Sequence, residues 1–192
     1  MKSGKNPRRP KTLSTIIVNK TDFHRTVTRL AYEIVEKNKG AKNIALIGIR
    51  TRGEFLAKRL AEKIAAIEKH PINTGFLDIT FYRDDLQGKL NQPVFKGSEI
   101  PFDVTGKNII LVDDVLYTGR TIRAALGELV DMGRPDSIQL AVLIDRGHRE
   151  MPITANFVGK IVATGLDQEI KVKMNEIDKE DAVLLVSTKK EK

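Results

Sequence analysis

The chain has 192 residues, of which 41% are hydrophobic and 30% charged, and its formal net charge is +8 at pH 7. This length suits one domain with a well-buried core. No apolar run approaches the roughly 18 residues of a membrane helix, the basic start does not resemble a signal peptide, and the lack of cysteine excludes disulfides and thiolate metal sites. We therefore expect a soluble cytoplasmic protein without a membrane partner.

Most of the net positive charge lies at the two ends of the chain. The first eleven residues contain five cations and no carboxylate, and the last four residues add two more net charges, so the ends account for all but one of the eight. Net charge alone therefore does not indicate a nucleic-acid surface on the folded part. We predict a disordered basic arm over residues 1–13 and a single domain over residues 14–192, with an arm that contacts phosphates as the alternative.

Strand and helix patterns alternate along the chain as far as residue 150, and shorter strands follow. The elements predicted from periodicity and capping residues are a helix over 22–38 with Asp22 or Thr21 as N-cap, a strand over 44–49, a helix over 54–68, strands over 76–82 and 109–112, a helix over 121–132, a strand over 138–144, and short strands over 157–163, 170–174 and 183–186. This alternation indicates βαβ units and a mainly parallel sheet with helices on both faces. Residues 83–107 lack helical periodicity and contain three glycines and two prolines, which is typical of a functional lid or of a hairpin that opens.

The most informative segment is residues 109–121. An apolar strand leads into Asp113 and Asp114, and a turn containing Gly119 leads into a helix. Two adjacent carboxylates are costly to bury unpaired, whereas the carboxyl end of a strand in an open parallel sheet is where ligands bind. The turn offers backbone N–H groups, threonine hydroxyls and a helix N-terminus, which together suit a phosphate. The ligand indicated carries vicinal hydroxyls and a phosphate, as a ribose 5-phosphate does.

Residues 112–121 resemble the phosphoribosyl pyrophosphate (PRPP) motif of type I phosphoribosyltransferases. The resemblance implies an α/β fold with a mainly parallel central sheet flanked by helices, a flexible lid loop and a small hood. It also implies Mg²⁺ bound with PRPP, and we assign no protein side chain as a metal ligand. Phosphoribosyl transfer builds positive charge on the sugar and negative charge on the leaving pyrophosphate, so it needs anions and cations placed accordingly. The predicted catalytic residues are Asp113 and Asp114 at the ribose and Arg83 at the start of the lid.

The predicted substrate-binding residues follow the strand ends in three groups. The first wraps the pyrophosphate, the second holds the 5-phosphate and the third belongs to the hood over the base. In that order they are Arg50, Thr51 and Arg52; Val115, Leu116, Tyr117, Thr118, Gly119, Arg120 and Thr121; and Asp145 and Arg146.

Four further segments narrow the resemblance, over about residues 14–188, to the bifunctional pyrimidine operon attenuators and uracil phosphoribosyltransferases. These segments are residues 78–80, 82–86, 133–135 and 145–150. The resemblance implies that uracil and PRPP are converted to UMP and pyrophosphate. It also implies that UMP or UTP promotes binding to a stem-loop of pyrimidine operon leader mRNA, which favours early termination of transcription. A homo-oligomer, a dimer or larger, is implied as well.

The RNA-binding residues implied by the resemblance lie on the first helix and around the hood. They are Thr28, Arg29, Tyr32, Lys37, Thr51, His148, Arg149 and Lys160. Two positions depart from the family pattern, because Tyr32 stands where histidine is usual and Thr154 where arginine is usual. Tyr32 can stack on an unpaired base, whereas Thr154 removes a bidentate donor.

Three alternatives to the bifunctional protein are open at this stage. A uracil phosphoribosyltransferase that has weakened or lost RNA binding would fit the two departures. A phosphoribosyltransferase acting on a purine base is disfavoured by the segment 145–150. A regulator that binds PRPP without turnover is disfavoured by the arginines at the predicted pyrophosphate site.

Overall fold

The computed structural model describes residues 12–79 and 97–188. In chain order its elements are β1 (Thr12–Val18), α1 (Lys20–Lys37), β2 (Ile44–Ile49), α2 (Arg52–Glu68), β3 (Asn73–Leu77), β4 (Asn108–Leu116), α3 (Arg120–Met132), β5 (Ser137–Asp145), β6 (Phe157–Ile161), β7 (Gln168–Lys173), α4 (Asn175–Asp178) and β8 (Ala182–Thr188). No helix within these residues is long and apolar enough to span a membrane.

Five parallel strands form the central sheet, in the order β3-β2-β4-β5-β6. Successive residues of β4 alternate between its two faces. Ile110 packs with α1 and α2 on one side, and Leu111 packs with α3 on the other. The predicted parallel sheet with helices on both faces is therefore confirmed.

A second, antiparallel sheet has the order β1-β8-β7 and joins the core on the side of α1 and α2. Strand β1 begins at Thr12, and Thr12 and Leu13 pair with Thr188 and Ser187. The last two residues of the predicted arm therefore belong to a strand. Local sequence did not reveal this because the partner strand lies at the other end of the chain. Residues 1–11 lie outside the described residues.

Several predicted boundaries are wrong by a few residues. Helix α1 begins at Lys20, because Asn19 is the N-cap and its side chain accepts a hydrogen bond from the backbone N–H of Asp22 at 3.0 Å. Strand β4 continues to Leu116, since its pairing with β5 continues as far as Asp145. Strand β3 ends at Leu77.

The predicted lid is described only in part. Residues 80–96, including Arg83, lie outside the described residues. Within the remainder, Glu99 pairs with Phe76 in an isolated β-bridge and Val104 is buried in the core. Residues 99–104 therefore pack against the domain, and this part of the predicted lid is wrong.

Candidate active site

A cleft lies at the carboxyl ends of β2, β3 and β4. Its volume is about 270 Å³, and it is lined by Ile49, Arg50, Thr51, Arg52, Asp78, Ile79, Asp113, Asp114, Val115 and Thr121. The strand register explains this convergence, because Gly48 pairs with Val112 and Ile49 pairs with Leu77. The residues that follow these pairs therefore meet at one edge of the sheet, as expected for a parallel α/β fold.

Two glycines allow the loop after β2 to lie directly against β4. A Cβ atom on Gly53 would stand 2.5 Å from the carbonyl oxygen of Val112, and one on Gly48 would collide with the backbone of Gly53. The Arg50–Thr51 peptide bond in this loop is cis. The close approach brings Arg50 and Arg52 into the cleft that also contains Asp113 and Asp114.

The two cleft arginines retain hydrogen-bonding capacity. Arg50 lies 3.6 Å from carboxylate oxygens of both Glu54 and Glu99, and Nη2 of Arg52 lies 3.2 Å from Asp178. The Nε atoms of both arginines are buried and have no hydrogen-bond partner within the described part of the chain. Buried donors normally have partners, and a guanidinium favours an oxyanion.

The acidic pair sits in the last part of β4. Asp113 is buried, and its Oδ1 accepts a hydrogen bond from the backbone N–H of Asp114 at 2.9 Å. Desolvation raises the pKa of Asp114, while the hydrogen bond with Asp113 and the charge of Arg52 act in the opposite direction. The negative charge on Asp114 is therefore costly here, and a cation or hydroxyl donor in the cleft would stabilise it.

A second cavity, of about 300 Å³, is lined by residues 115–122 and Glu150. Residues 115–122 contain the turn predicted to bind phosphate, and we call them the phosphate turn. Gly119 is the N-cap of α3, with φ of +92°, and a Cβ atom there would stand 3.0 Å from Cβ of Met151. Gly119 has no side chain to cap α3, and in the part of the chain that the structure describes the hydroxyl of Thr118 accepts only from the N–H of Arg120, at 3.4 Å. Within the described residues, the side chain of Thr51 makes no capping hydrogen bond to α2. Both helices therefore present first-turn N–H groups at the site, which suits anionic groups.

Hydrogen bonds join the hood loop, residues 146–156, to this turn. The backbone N–H of Arg146 donates to the carbonyl oxygen of Leu116 at 3.1 Å, and those of Glu150 and Met151 donate to Thr118 at 2.9 and 3.0 Å. The Arg149 side chain donates to the carbonyl oxygen of Tyr117 at 2.8 Å. The loop and the phosphate turn thus form one hydrogen-bonded unit.

The side chains of Asp145 and Arg149 are engaged inside this unit. Arg146 instead connects the unit to residues 164–168, because its guanidinium donates to Oγ1 of Thr164 at 3.2 Å and to the carbonyl oxygen of Gln168 at 2.7 Å. Asp145 accepts from Nη2 of Arg149 at 2.5 Å and from the backbone N–H of Gly147 at 3.0 Å. Arg146 is only 7% exposed, and its guanidinium lies 4.0 Å from the centre of the Tyr117 ring. Asp145 and Arg146 were predicted to bind substrate, and in the structure their side chains hold the loop in place.

Five of the predicted RNA-binding residues lie on the adjacent elements α1 and β6. We call these residues, Thr28, Arg29, Tyr32, Lys37 and Lys160, the α1–β6 face. Tyr32 is 58% exposed. Arg29 spans the two elements by donating to the carbonyl oxygen of Gly159 at 2.5 Å, and Lys37 lies 5.2 Å above the ring of Phe157. Nζ of Lys160 donates to the carbonyl oxygen of Ile17 at 3.0 Å.

The remaining predicted RNA residues lie elsewhere. Thr51 lines the cleft. His148 and Arg149 belong to the hood loop, where a ring nitrogen of His148 is 2.6 Å from the carbonyl oxygen of Thr164. Thr154, one of the two departures, is exposed on the same loop.

Sequence reasoning did not assign two carboxylates of this region. Asp78 lines the cleft, and its position directly after an apolar strand was an available signal. Asp178 contacts Arg52 from α4, a helix of four residues that leaves no periodic pattern in the sequence.

Comparisons with known proteins match most of the chain. A family model described as a phosphoribosyl transferase domain matches residues 14–172. The protein of Bacillus subtilis strain 168 named "Bifunctional protein PyrR" is 52% identical over 172 residues, covering 88% of this chain and 95% of that protein. A protein of the same name from Pelotomaculum thermopropionicum is 54% identical, covering 90% of this chain and 95% of that protein.

Solved structures with a similar fold share far less sequence. A hypoxanthine phosphoribosyltransferase of Trypanosoma cruzi superposes with a TM-score of 0.69 at 16% identity, covering 91% of this chain and 97% of that chain. A hypoxanthine-guanine phosphoribosyltransferase of Bacillus anthracis gives 0.66 at 21% identity, covering 94% and 99%. These likenesses establish the type I phosphoribosyltransferase fold and nothing about the base.

Proposed function

The chain belongs to the PyrR family of bifunctional pyrimidine operon attenuators and uracil phosphoribosyltransferases, and we propose on that premise how its cleft and its α1–β6 face divide the two activities. The cleft transfers the phosphoribosyl group of PRPP to uracil, which yields UMP and pyrophosphate. The α1–β6 face binds the stem-loop of pyrimidine operon leader mRNA when UMP or UTP occupies the cleft.

One observation carries the catalytic assignment: the acidic pair lies between two anion-binding features. The cleft and the phosphate turn share Val115 and Thr121, so they are adjoining parts of one trough. The N-terminus of α3 lies at one part, and the arginine loop before α2 lies at the other. A PRPP molecule matches this order, with its 5-phosphate on residues 117–121, its ribose beside Asp113 and Asp114, and its pyrophosphate at Arg50 and Arg52.

The charges fit the transition state of the transfer. As the bond from C1 of the ribose to pyrophosphate breaks, the sugar becomes cationic and the leaving group gains negative charge. Asp114 stabilises the cation and accepts from a ribose hydroxyl, while Arg50 and Arg52 neutralise the leaving group. Arg83, outside the described residues, is the further cation that we assign to the leaving pyrophosphate.

Type I phosphoribosyltransferases generally use Mg²⁺ with PRPP, and the donor set of this cleft fits the ion. Asp78, Asp113 and Asp114 all line the cleft, and carboxylate oxygens are the ligands that Mg²⁺ prefers. PRPP and water would supply most of the ligands and one or two of these carboxylates the rest, because no group of three such side chains within the described residues could hold the ion by itself. When bound, Mg²⁺ neutralises charge on the pyrophosphate.

The hood loop is the proposed base site. A pyrimidine offers one N3–H donor and two carbonyl acceptors, so backbone groups of the hood loop can read it while the Asp145 and Arg146 side chains hold the loop. The same role suits Arg149, whose guanidinium contacts backbone carbonyls of the hood loop and the phosphate turn. An effect of Arg149 on RNA binding would then act through the position of this loop.

The α1–β6 face contains the positive charge and the exposed aromatic ring that RNA recognition uses. Arg29, Lys37 and Lys160 supply positive charge, and the exposed ring of Tyr32 supplies a stacking surface for an unpaired base. RNA contact by Thr51 and His148 remains a prediction. A homo-oligomer is also part of the proposal, and sedimentation velocity measures it directly.

The proposal is tested by turnover and RNA binding measured on the same protein. Asp114→Asn should abolish uracil-dependent pyrophosphate release and leave the thermal unfolding transition in place. Asp136→Asn is the matched control, since this exposed carboxylate precedes β5 at the other end of the sheet. Turnover of Asp114→Asn at the wild-type rate would remove Asp114 from the mechanism.

The second candidate function is that of a uracil phosphoribosyltransferase that has lost RNA binding. Thr154 on the hood loop favours it, because arginine is usual at this position in the family and threonine carries no charge. A gel-shift titration with a pyrimidine leader stem-loop, with and without UMP at fixed salt, separates the two. UMP-dependent binding at nanomolar protein supports the attenuator. Intact uracil turnover without any RNA shift supports the enzyme alone.

A further inference from the structure

Three carboxylates in the C-terminal part of the chain pair with two arginines of helix α2. We call Glu176, Asp178 and Asp181 the acidic clamp. Arg59 of α2 donates to Glu176 at 2.9 and 2.6 Å and to Asp181 at 2.7 Å. At the start of α2, Nη2 of Arg52 lies 3.3 and 3.2 Å from the two carboxylate oxygens of Asp178. The clamp therefore reaches a residue that lines the cleft.

Asp178 is itself fixed within this segment. Its Oδ2 accepts a hydrogen bond from the backbone N–H of Met174 at 2.9 Å, and the backbone N–H of Asn175 donates to Asp181 at 2.9 Å. The N–H of Met174, followed by the charge of Arg52, lowers the pKa of Asp178 below its ordinary value. Asp178 is thus an ionised group in a defined position at neutral pH.

Arg52 needs such an anchor because its side chain is long and has many rotamers. Asp178 takes one terminal nitrogen of the guanidinium, and the buried Nε lacks a hydrogen-bond partner among the described residues. The positive charge of Arg52 also acts to lower the pKa of Asp114. Arg52 thus links the acidic clamp to the acidic pair of the cleft.

We propose that Asp178 is a positioning residue for phosphoribosyl transfer, which holds the Arg52 guanidinium in the orientation that binds the pyrophosphate group of PRPP. The inference rests on the proposed pyrophosphate site at Arg50 and Arg52. Asp178 touches neither substrate nor the reacting atoms, so its effect passes through Arg52. Preorganised arginines bind anions with less loss of side-chain entropy than mobile ones.

The first variant is Asp178→Asn. An amide oxygen can still accept from the N–H of Met174, so the segment keeps its local bond while the charge opposite Arg52 is lost. We expect KM for PRPP to rise roughly five- to tenfold, with a smaller change in kcat and none in KM for uracil, since binding before the chemical step is weakened. Asp178→Glu restores the charge and should recover part of the affinity.

Glu180→Gln is the matched control, because Glu180 belongs to the same segment but pairs with Lys173 at 2.5 Å instead of with α2. Thermal unfolding of each variant reports whether the fold is intact. A KM for PRPP that rises equally in Glu180→Gln and Asp178→Asn would overturn the proposal, since a general disturbance of the segment would explain it.

A double-variant cycle separates this inference from the proposed function. In an Arg52→Ala background, Asp178→Asn should add nothing to KM for PRPP. If Arg52→Ala raises KM but Asp178→Asn does not, or if Asp178→Asn acts equally in both backgrounds, the positioning role is wrong and the pyrophosphate site stands. If Arg52→Ala itself leaves KM for PRPP unchanged, both assignments fail.

Discussion

The buried carboxylate Asp181 should make the stability of the domain depend on acid pH. It is 5% exposed and accepts hydrogen bonds from Arg59 at 2.7 Å, His24 at 2.8 Å and the backbone N–H of Asn175 at 2.9 Å. Burial alone would raise its pKa, but these donors outweigh burial and lower the pKa from 3.8 to about 2. The charged form is therefore strongly favoured in the folded state.

The difference between the two pKa values corresponds to about 2 kcal/mol of folding free energy at neutral pH. Because the folded pKa lies below the unfolded one, this contribution is complete above about pH 5 and disappears as the pH falls through about pH 2. By about pH 3 roughly half of it, on the order of 1 kcal/mol, should be lost.

Urea unfolding of the wild type and Asp181→Asn at about pH 5 and about pH 3 measures this effect. At about pH 5 the wild type should be more stable than Asp181→Asn. This difference in unfolding free energy should be about 1 kcal/mol smaller at about pH 3. Asp131→Asn, a change of an exposed carboxylate on α3, should show no such dependence. A wild-type advantage that is the same at both pH values would refute the lowered pKa.

Three further substitutions test the site and the RNA surface. Gly53→Ala places a methyl group 2.5 Å from the carbonyl oxygen of Val112, so KM for PRPP should rise and the unfolding temperature should fall; an unchanged PRPP affinity would show that the loop tolerates the shift. Arg149→Gln loosens the hood loop, so KM for uracil should rise together with the loss of RNA affinity, whereas loss of RNA affinity alone would return Arg149 to a direct RNA contact. Tyr32→Ala should weaken RNA binding by about 1–3 kcal/mol with uracil turnover intact, and Tyr32→Phe should retain binding if stacking is the contact.

The strand that carries the site shows both the reach and the limit of sequence reasoning. The motif at residues 112–121 placed Asp113 and Asp114 at the carboxyl edge of a parallel sheet, and in the structure both residues line a cleft at that edge. The predicted end of β4 was wrong because two carboxylates interrupt the apolar run. Pairing with β5 continues nevertheless, since Asp113 lies opposite Val142 and Leu116 lies opposite Asp145.

The partners of the arginines could not be predicted, because a guanidinium reaches side chains and carbonyls that are distant in the sequence. Arg52 meets Asp178 across 126 positions, and Arg29 meets Gly159 across 130. Strand β1 was missed for a similar reason, since its partner β8 is the last strand of the chain. The cap at Asn19 was within reach, because an asparagine three residues before an aspartate is a local helix-start pattern.

The connections of the hood loop determine which substitutions can separate the two activities. The loop donates to Leu116 and Thr118 of the phosphate turn, and the same loop carries His148 and Arg149, two predicted RNA residues. A substitution in this loop should therefore change the proposed PRPP and base sites together with any RNA contact that it makes. The side chain of Tyr32 lies on α1, which joins β6 through Arg29 and does not line the cleft. Variants of α1 are thus the ones that can remove RNA binding from an intact enzyme.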